Sequence, residues 1–388
     1  MKAVHFGAGA IGRGFIGELL HQSGYHVTFV DVSEAIVNQI NAQGSYDLYD
    51  LDTREQIVID DIDAINSIQD PAAAAAAVAE ADIVTTAVMV ANLRHIAPVM
   101  LEGLKQRLAK GAKRINILAC ENALGNSTIL HEELAKLDAD FAPHLDEVAA
   151  FPCTAVDRVV LPERDADGHE VIRISGTFEL DVELPHTVDP SRQEIKGASY
   201  VDDLQKFIER KLFLLNGGHA WTGYIGLLHG HTTIQEVLRD QKLLPYVRET
   251  MGESAALLEA RYGFAREDLD AYIDFIIKRW LTPGMSDPIF RVCRNPIQKL
   301  GPKERLTSPT LGCEDLGLPF HRHAQGIAAG LLFDNPEDGQ SVELKDFIAQ
   351  NGVEAAVEKY VGVAADTELF REVVASYQQF AVGNYDLD

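Results

Sequence analysis

A glycine-rich turn near the start of the chain constrains its fold more than any other feature. Residues 7–12 read GAGAIG; they follow directly on the apolar run Lys2–Phe6 and open the helical pattern Ile11–Ser23. In a GxGxxG turn the first glycine makes the tight bend, the second lets a phosphate approach the backbone, and the third lets the helix pack against the strand. The turn therefore predicts a strand–turn–helix unit that binds a dinucleotide at the helix N-terminus. The candidate binding residues are Gly7, Ala8, Gly9, Ala10, Ile11 and Gly12.

Apolar runs alternate with helical patterns through the first half of the chain. The predicted strands are Lys2–Phe6, His26–Val30, Ile83–Val88 and Ile115–Ala119, and the predicted helices are Ile11–Ser23, Ser33–Ala42 and Pro71–Ala81. Strands that alternate with helices form a parallel sheet with helices on both faces. Val171–Leu184 alternates apolar and polar residues, which is typical of a strand, and we expect it to extend the same sheet.

The pattern becomes helical after Pro190. The predicted helices of this half are Asp202–Leu215, Thr233–Ala260, Glu267–Arg279, Leu344–Gln350 and Asp366–Phe380. A chain of 388 residues exceeds one ordinary core, so two domains are expected. We predict an α/β fold with an N-terminal Rossmann-type doubly wound sheet over residues 1–195 and a mostly α-helical domain over residues 196–388. The active site is expected in the cleft between them.

Charge and composition exclude several classes of partner. A formal net charge of -25 disfavours nucleic acid and anionic membranes, because both attract basic surfaces. The sequence has no run of about 18 apolar residues, and its first residues show neither an uncharged apolar segment nor a cleavage site. The four cysteines lie far apart and form no CxxC pair, which is typical of reduced thiols. We therefore predict a cytoplasmic protein.

An acidic residue after the second predicted strand indicates which dinucleotide binds. Asp31 lies 19 residues after Gly12, where a carboxylate accepts hydrogen bonds from the adenosine ribose. The same charge would repel the 2′-phosphate of NADP, and residues 32–34 add no basic side chain. NAD is therefore the predicted cofactor. Thr86, at the end of a later strand, is expected on the nicotinamide side.

The segment KLFLLNGGHA at residues 211–220 carries the candidate catalytic side chains. Lys211 lies in a helical pattern among apolar residues, and a buried lysine can serve as a general base near neutral pH. Asn216 and His219 are three residues apart and share a helix face. The two glycines at 217 and 218 indicate a helix break or a close approach by another backbone or a ligand. From spacing alone, an ordinary surface lysine, a capping asparagine and a core histidine fit equally well.

The pattern Lys-x4-Asn-x2-His at 211–219 resembles the signature of the polyol-specific long-chain dehydrogenases. The similarity includes CEN at 120–122, VDR at 156–158 and FGAGAIGRGFIG at 6–17, and it covers essentially the whole chain. It implies a monomeric enzyme that passes a hydride to NAD without a metal. In that family's mechanism Lys211 would take the hydroxyl proton, Asn122 and Asn216 would donate hydrogen bonds to the alkoxide, and His219 would orient the substrate. Residues 89–92 depart from the Gly-Pro turn that family members often carry.

A basic segment predicts a phosphorylated substrate. Residues 278–305 carry seven basic and two acidic residues, a net of +5 in an acidic chain. Arginine forks match phosphate oxygens, so a small phosphorylated polyol or ketose is the expected partner. A solvated basic face, a family member acting on a free polyol or a hexuronate, and an NAD-binding sensor without activity remain alternatives. The candidate phosphate ligands are Arg294 and Lys299, followed by Arg291 and Arg305.

Two histidine pairs raise the question of a metal site. They are His229 with His231 and His321 with His323. Neither pair has a third and fourth ligand at a spacing typical of a metal site. We therefore predict that the chain holds no metal.

Overall fold

The computed structural model describes residues 1–164, 170–282 and 284–388. The chain divides into two units, Met1–Phe207 and Ile208–Asp388. The sequence predicts a domain boundary at residue 195, and the strand Ser199–Val201 pairs within the first unit. Along the described ranges, no helix has the length and apolar character needed to cross a bilayer.

Within the described residues, the strands belong to the first unit. They are β1 Lys2–Phe6, β2 His26–Asp31, β3 Tyr46–Asp50, β4 Gln56–Ile59, β5 Ile62–Asn66, β6 Ile83–Thr86, β7 Ile115–Ala119, β8 Ala149–Ala150, β9 Thr154–Arg164, β10 Glu170–Glu183 and β11 Ser199–Val201. Six of them form a parallel sheet in the order β5-β2-β1-β6-β7-β8. Apart from the inserted β3 and β4, this is the 3-2-1-4-5-6 order of a dinucleotide-binding sheet. The strand order reverses between β1 and β6.

A second sheet contains the alternating segment near residue 175. Its order is β11-β10-β3-β4, with β9 antiparallel to β10. The prediction that Val171–Leu184 extends the parallel sheet is wrong. Alternation identified a strand, but the partner was set by contacts distant in sequence, such as Ile172 with Leu48. This sheet packs over one face of the parallel sheet through a shared apolar core that includes Phe15, Phe29 and Ile174.

The helices of the first unit cover both faces of the parallel sheet. They are Glu18–Gln22, Glu34–Gln43, Pro71–Glu80, Leu93–Lys110, Asn126–Leu137 and Leu145–Val148, with a π-helix at Gly12–Gly17 and 3₁₀ turns at Val90–Asn92, Ala142–His144 and Leu184–His186. Two starts are capped as their sequences suggest: Ser33 accepts from Ile36 N, and Asp70 accepts from Ala73 N. The predicted helix Ile11–Ser23 is present, but its first part has the wider π geometry.

The described residues of the second unit form helices that are joined by turns and loops. With the helix that runs into it, its helices are Leu204–Arg210, Lys211–Gly217 (π), Gly218–Leu228, Ile234–Arg239, Leu244–Tyr262, Arg266–Trp280, Ile289–Val292, Pro296–Lys299, Thr307–Asp315, His321–Leu331, Gly339–Asn351, Val353–Ala356, Val357–Val361 (π) and Glu368–Ala381. The predicted single helix Thr233–Ala260 is wrong because the chain turns at residues 240–243 and restarts with Pro245 in its first turn. The fold class, a Rossmann-type sheet and a helical second part, is confirmed.

Candidate functional site

The glycine-rich turn has the geometry that its sequence predicts. Gly7 has φ +101°, and a Cβ added there would lie 2.6 Å from the carbonyl oxygen of Ala87. A Cβ added at Gly12 would overlap the carbonyl oxygen of Gly7 and lie 2.8 Å from His5 Nε2. A Cβ at Gly9 would meet nothing within 4 Å, so this side of the turn is open. Gly7 and Gly12 therefore shape the turn, and Gly9 keeps its outer side clear.

A cavity of about 660 Å³ lies over the carboxyl ends of β1, β2 and β6, at the point where the strand order reverses. Open parallel sheets bind their ligands at this point. Ala8 is buried, while Ala10 and Ile11 open the following helix. The cavity is lined by Phe6, Gly7, Gly9, Val30, Asp31, Val32, Ser67, Ile68, Ala87, Val88, Met89, Asn92, His95, Ile96 and Val99.

Asp31 joins the second strand to the glycine-rich turn. Its Oδ2 accepts a hydrogen bond from Ala8 N at 2.7 Å, and its Oδ1 accepts one from Ser33 N at 2.8 Å. Each carboxylate oxygen has a further lone pair available to a ligand. Val32 and Ile68, which are 61% and 73% exposed, line the same cavity and offer apolar surface beside the carboxylate.

Thr86 shapes this end of the sheet through a buried carboxylate. Its hydroxyl donates to Glu121 with oxygen–oxygen distances of 2.9 and 2.8 Å, and its side chain is fully buried. Glu121 also accepts from Val88 N at 2.9 Å, and burial raises its pKa. Glu121 is a residue that sequence reasoning missed, although the CEN segment pointed to its position. It holds the backbone that lines the cavity at Ala87 and Val88.

The loop at residues 89–92 begins with a non-glycine residue in a positive-φ conformation. Met89 has φ +72° and is 72% exposed, and a 3₁₀ turn follows at Val90–Asn92. The Asn92 side chain donates to the carbonyl of Val88 at 2.7 Å. The departure from a Gly-Pro turn is therefore accommodated by a strained methionine and an asparagine that closes the loop on itself.

Asn122 is exposed on a loop of the first unit, and buried hydrogen bonds from neighbouring residues anchor this loop. Asn126, fully buried, donates to the carbonyl oxygens of Glu121 and Thr154, each at 3.0 Å. Ser127 donates to the carbonyl of Pro152 at 2.7 Å. These buried bonds hold the loop on both sides of Asn122.

Lys211, Asn216 and His219 lie in the second unit, on the continuous helical run of residues 208–228. Lys211 is 9% exposed, as expected for a buried lysine. The turns from Lys211 to Gly217 form a π-helix, a geometry common at functional sites. The glycines do not break the helix. A Cβ at Gly217 would lie 2.5 Å from the carbonyl oxygen of Arg305, so Gly217 permits a close backbone approach, and a Cβ at Gly218 would lie 3.0 Å from the Met251 side chain.

His219 is fixed by two neighbours from the same unit. Its Nε2 lies 2.7 Å from Asp287 Oδ2, and its ring stacks on Trp280 with centroids 5.1 Å apart. In the sequence, Asp287 is one of the two acidic residues within the basic segment. Its separation of 68 residues from His219 left no local signal of the pairing.

Three of the candidate phosphate ligands are arginines that act electrostatically on the fourth, Lys299. The pKa of Lys299 is lowered to about 8, first by burial and then by the positive charges of Arg305, Arg294 and Arg291. Lys299 Nζ donates to the carbonyl of Val292, and Arg291 pairs with Asp287. Arg305 forms a 3.2 Å pair with its neighbour Glu304, while Arg294 is exposed. The positive charges of the three arginines therefore act on Lys299, and Arg291 is partly neutralised by Asp287.

The VDR segment at 156–158 and the two histidine pairs include side chains that form ion pairs or hydrogen bonds within the protein. Arg158 forms a buried ion pair with Glu18, and its Nε donates to the carbonyl of Ser175 at 2.9 Å. Of the paired histidines, His231 lies 3.2 Å from Asp240, and His323 lies 2.8 Å from Ser254. In the parts of the chain that the structure describes, no group of three or more His, Cys, Asp or Glu side chains is placed to hold a metal.

Two family models match the chain. The mannitol dehydrogenase Rossmann domain matches residues 1–185, and the mannitol dehydrogenase C-terminal domain matches residues 203–381. The chain is 39% identical over 381 residues to a mannitol-1-phosphate 5-dehydrogenase of Caldanaerobacter subterraneus subsp. tengcongensis, covering 97% of this chain and 98% of that one. It is 40% identical over 367 residues to a protein of the same name from Brevibacillus brevis, covering 94% of each.

Solved structures share the fold. A substrate-free D-sorbitol dehydrogenase superposes with a TM-score of 0.83 at 19% identity, covering 99% of this chain and 94% of that one. Pseudomonas fluorescens mannitol 2-dehydrogenase, in a ternary complex with NAD and D-mannitol, gives a TM-score of 0.71 at 18% identity, covering 99% and 92%. At these identities the similarity establishes the fold.

Proposed function

Because the chain belongs to the mannitol dehydrogenase family, we propose that it interconverts D-mannitol 1-phosphate and D-fructose 6-phosphate with NAD and without a metal. The observation that carries the proposal is the buried Lys211, on a widened helical turn that also bears Asn216. Relatives of 38–40% identity that carry the name mannitol-1-phosphate 5-dehydrogenase support the choice of substrate.

The cavity of the first unit fits NAD. The open side of Gly9 leaves room for a pyrophosphate against the helix N-terminus, and Asp31 has free lone pairs for ribose hydroxyls. Val32 and Ile68 supply apolar surface for an adenine ring. The Asp31 charge disfavours a 2′-phosphate, which is why NAD is proposed over NADP. When bound, NAD⁺ supplies the hydride acceptor of the reaction.

The proposed mechanism moves one proton through Lys211. The neutral amine takes the proton of the reacting hydroxyl as the hydride leaves the same carbon. Asn122 and Asn216 donate hydrogen bonds to the oxygen on which negative charge develops, and so stabilise the transition state more than the ground state. His219 binds a neighbouring hydroxyl and orients the chain. In the reverse direction Lys211 returns the proton to the oxygen.

The cation cluster is proposed to bind the substrate phosphate. A phosphate monoester carries a charge of about -1.5 to -2 near neutral pH, and arginine can bind two of its oxygens at once. Arg294 and Lys299 are the leading ligands. Arg305 and Arg291 reinforce the local positive potential, which opposes the net charge of -25 of the chain.

A reduction assay tests the function. NADH oxidation is followed by absorbance, with a chelator present, and fructose 6-phosphate, free fructose and fructuronate are offered in turn. We expect turnover with fructose 6-phosphate and at least about 100-fold lower kcat/KM for the other two, since a lost charged hydrogen bond costs about 1.5–3 kcal/mol and several are lost together. Equal activity on free fructose would contradict the phosphate assignment, and activity abolished by the chelator would contradict the metal-free mechanism.

Arg294→Ala should act on phosphate recognition alone. We expect KM for fructose 6-phosphate to rise about 10- to 100-fold, because one charge-assisted hydrogen bond is lost. The matched control is Lys303→Ala, an exposed cation of the same segment that does not contribute to the lowered pKa of Lys299. The low residual activity on free fructose should stay the same in both variants. A parallel loss on free fructose would remove Arg294 from the phosphate site.

A further inference from the structure

A single carboxylate, Asp287, organises the surroundings of His219. Its Oδ2 lies 2.7 Å from His219 Nε2, and its side chain is only 5% exposed. The imidazole stacks on Trp280 at an interplanar angle of 23°. Trp280 therefore fixes the plane of the ring, and Asp287 fixes the rotation of the ring within that plane.

The carboxylate is itself held in place. The Gln235 side chain accepts a hydrogen bond from Asp287 N at 2.9 Å and donates one to the Trp280 carbonyl at 2.8 Å, so it joins the two residues that touch His219. Arg291 pairs with the other carboxylate oxygen. Burial acts to raise the pKa of Asp287, but the hydrogen bonds from His219 and Arg291 and the positive charge of Arg291 outweigh it, and the pKa is lowered. Asp287 is therefore ionised at neutral pH.

We propose that Asp287 is a positioning residue that holds the imidazole tautomer of His219 with its proton on Nε2 and leaves Nδ1 to the substrate. An ionised carboxylate only accepts hydrogen bonds, so the 2.7 Å contact requires a proton on Nε2. Nδ1 is then an acceptor suited to a substrate hydroxyl. This inference rests on the proposed role of His219 and adds the group that selects its tautomer.

The substitution D287N tests the tautomer with little change of shape. The introduced amide can donate to Nε2, which favours the proton on Nδ1 and turns the substrate-facing nitrogen from an acceptor into a donor. Loss of such an orienting carboxylate costs an enzyme from about 10-fold to 10⁴-fold. We expect kcat/KM for fructose 6-phosphate to fall about 10- to 100-fold.

The matched control is D240N. Asp240 pairs with His231 at 3.2 Å, and the His231 side chain has the same 22% exposure as that of His219, but this pair lies outside the proposed site. We expect its kcat/KM to stay within about 2-fold of the unsubstituted enzyme. A second comparison places D287N in an H219Q background, where it should change kcat/KM by less than about 2-fold, because the imidazole it orients is gone.

Nitrogen NMR of the free protein reads the tautomer without any turnover. The His219 signals should show a protonated Nε2 in the unsubstituted chain and a protonated Nδ1 in D287N. An unchanged tautomer, or an equal loss of kcat/KM from D287N in both backgrounds, would overturn the inference in favour of a merely structural carboxylate. If H219Q retains full turnover, the catalytic role of His219 fails instead, while the NMR result still decides whether Asp287 sets the tautomer.

Discussion

Replacing Lys211 by alanine is expected to lower kcat by about 10²- to 10⁴-fold, the contribution typical of a positioned general base. Lys211 is 9% exposed and lies at the head of the widened helical turn, so bulk water would replace it poorly. Cofactor affinity should stay within about 2-fold, because the proposed role of Lys211 is proton transfer and Lys211 is not among the residues that line the proposed NAD cavity. Steady-state NADH oxidation with fructose 6-phosphate gives kcat, and fluorescence titration gives the NADH dissociation constant.

Two further variants separate lost chemistry from lost structure. Lys211→Met keeps most of the side-chain volume and should be as inactive as the alanine variant. A small amine added to the buffer should partly restore K211A, where space has been created, and should not restore K211M, where methionine fills it. The control is Lys242, which is exposed on a turn between two other helices, and Lys242→Ala should leave kcat unchanged. Near-normal kcat in K211A would remove Lys211 as the base.

Gly12→Ala is expected to disrupt the cofactor site through sterics alone. The new methyl group would overlap the Gly7 carbonyl oxygen, a backbone atom that no rotamer change can move. Overpacking of this kind costs about 1–3 kcal/mol, which in a unit of this size corresponds to about 2–12 °C in Tm. NADH affinity should fall at least about 100-fold, because relief of the overlap must displace the turn. Thermal unfolding of the free protein and fluorescence titration measure the two effects.

Gly9→Ala is the matched comparison on the same turn. A Cβ at Gly9 meets no protein atom within 4 Å, so Tm of the free protein should change by no more than about 1 °C. The methyl group would occupy the open side proposed for the pyrophosphate, so NADH affinity should still fall at least about 10-fold. Full NADH affinity in G9A would place the pyrophosphate elsewhere, and an unchanged Tm in G12A would show that the turn can relax.

Features with short-range causes were predictable from the sequence. The strands Lys2–Phe6 and Ile115–Ala119 have the predicted bounds, and the glycine-rich turn has the expected roles for Gly7 and Gly12. Each depends on residues adjacent along the chain, where periodicity and backbone sterics act directly. The burial of Lys211 likewise followed from its apolar neighbours.

Features that depend on distant pairings were not predictable in the same way. Val171–Leu184 shows a strand pattern but no sign that its partners are β3 and β9. Glu121 meets Thr86 from 35 positions away, and Asp287 meets His219 from 68. Periodicity describes which face of an element is apolar, and it does not say which element lies against that face. The polar contacts that orient the candidate site belong to this second group.

The widened turn at Lys211–Gly217 has a consequence for how this chain can vary. A π segment fits one additional residue into the length of an α-helix, so it holds a single insertion without breaking the run of hydrogen bonds. Removing one residue from it would restore the ordinary winding and leave the helix that follows, with His219, close to its present orientation. Removing one residue from the α-helical turns of Leu204–Arg210 would instead rotate everything that follows by about 100° about the helix axis, and His219 would leave both Trp280 and Asp287. The widened turn is therefore the place where this helix can lose a residue and still keep the contacts of His219.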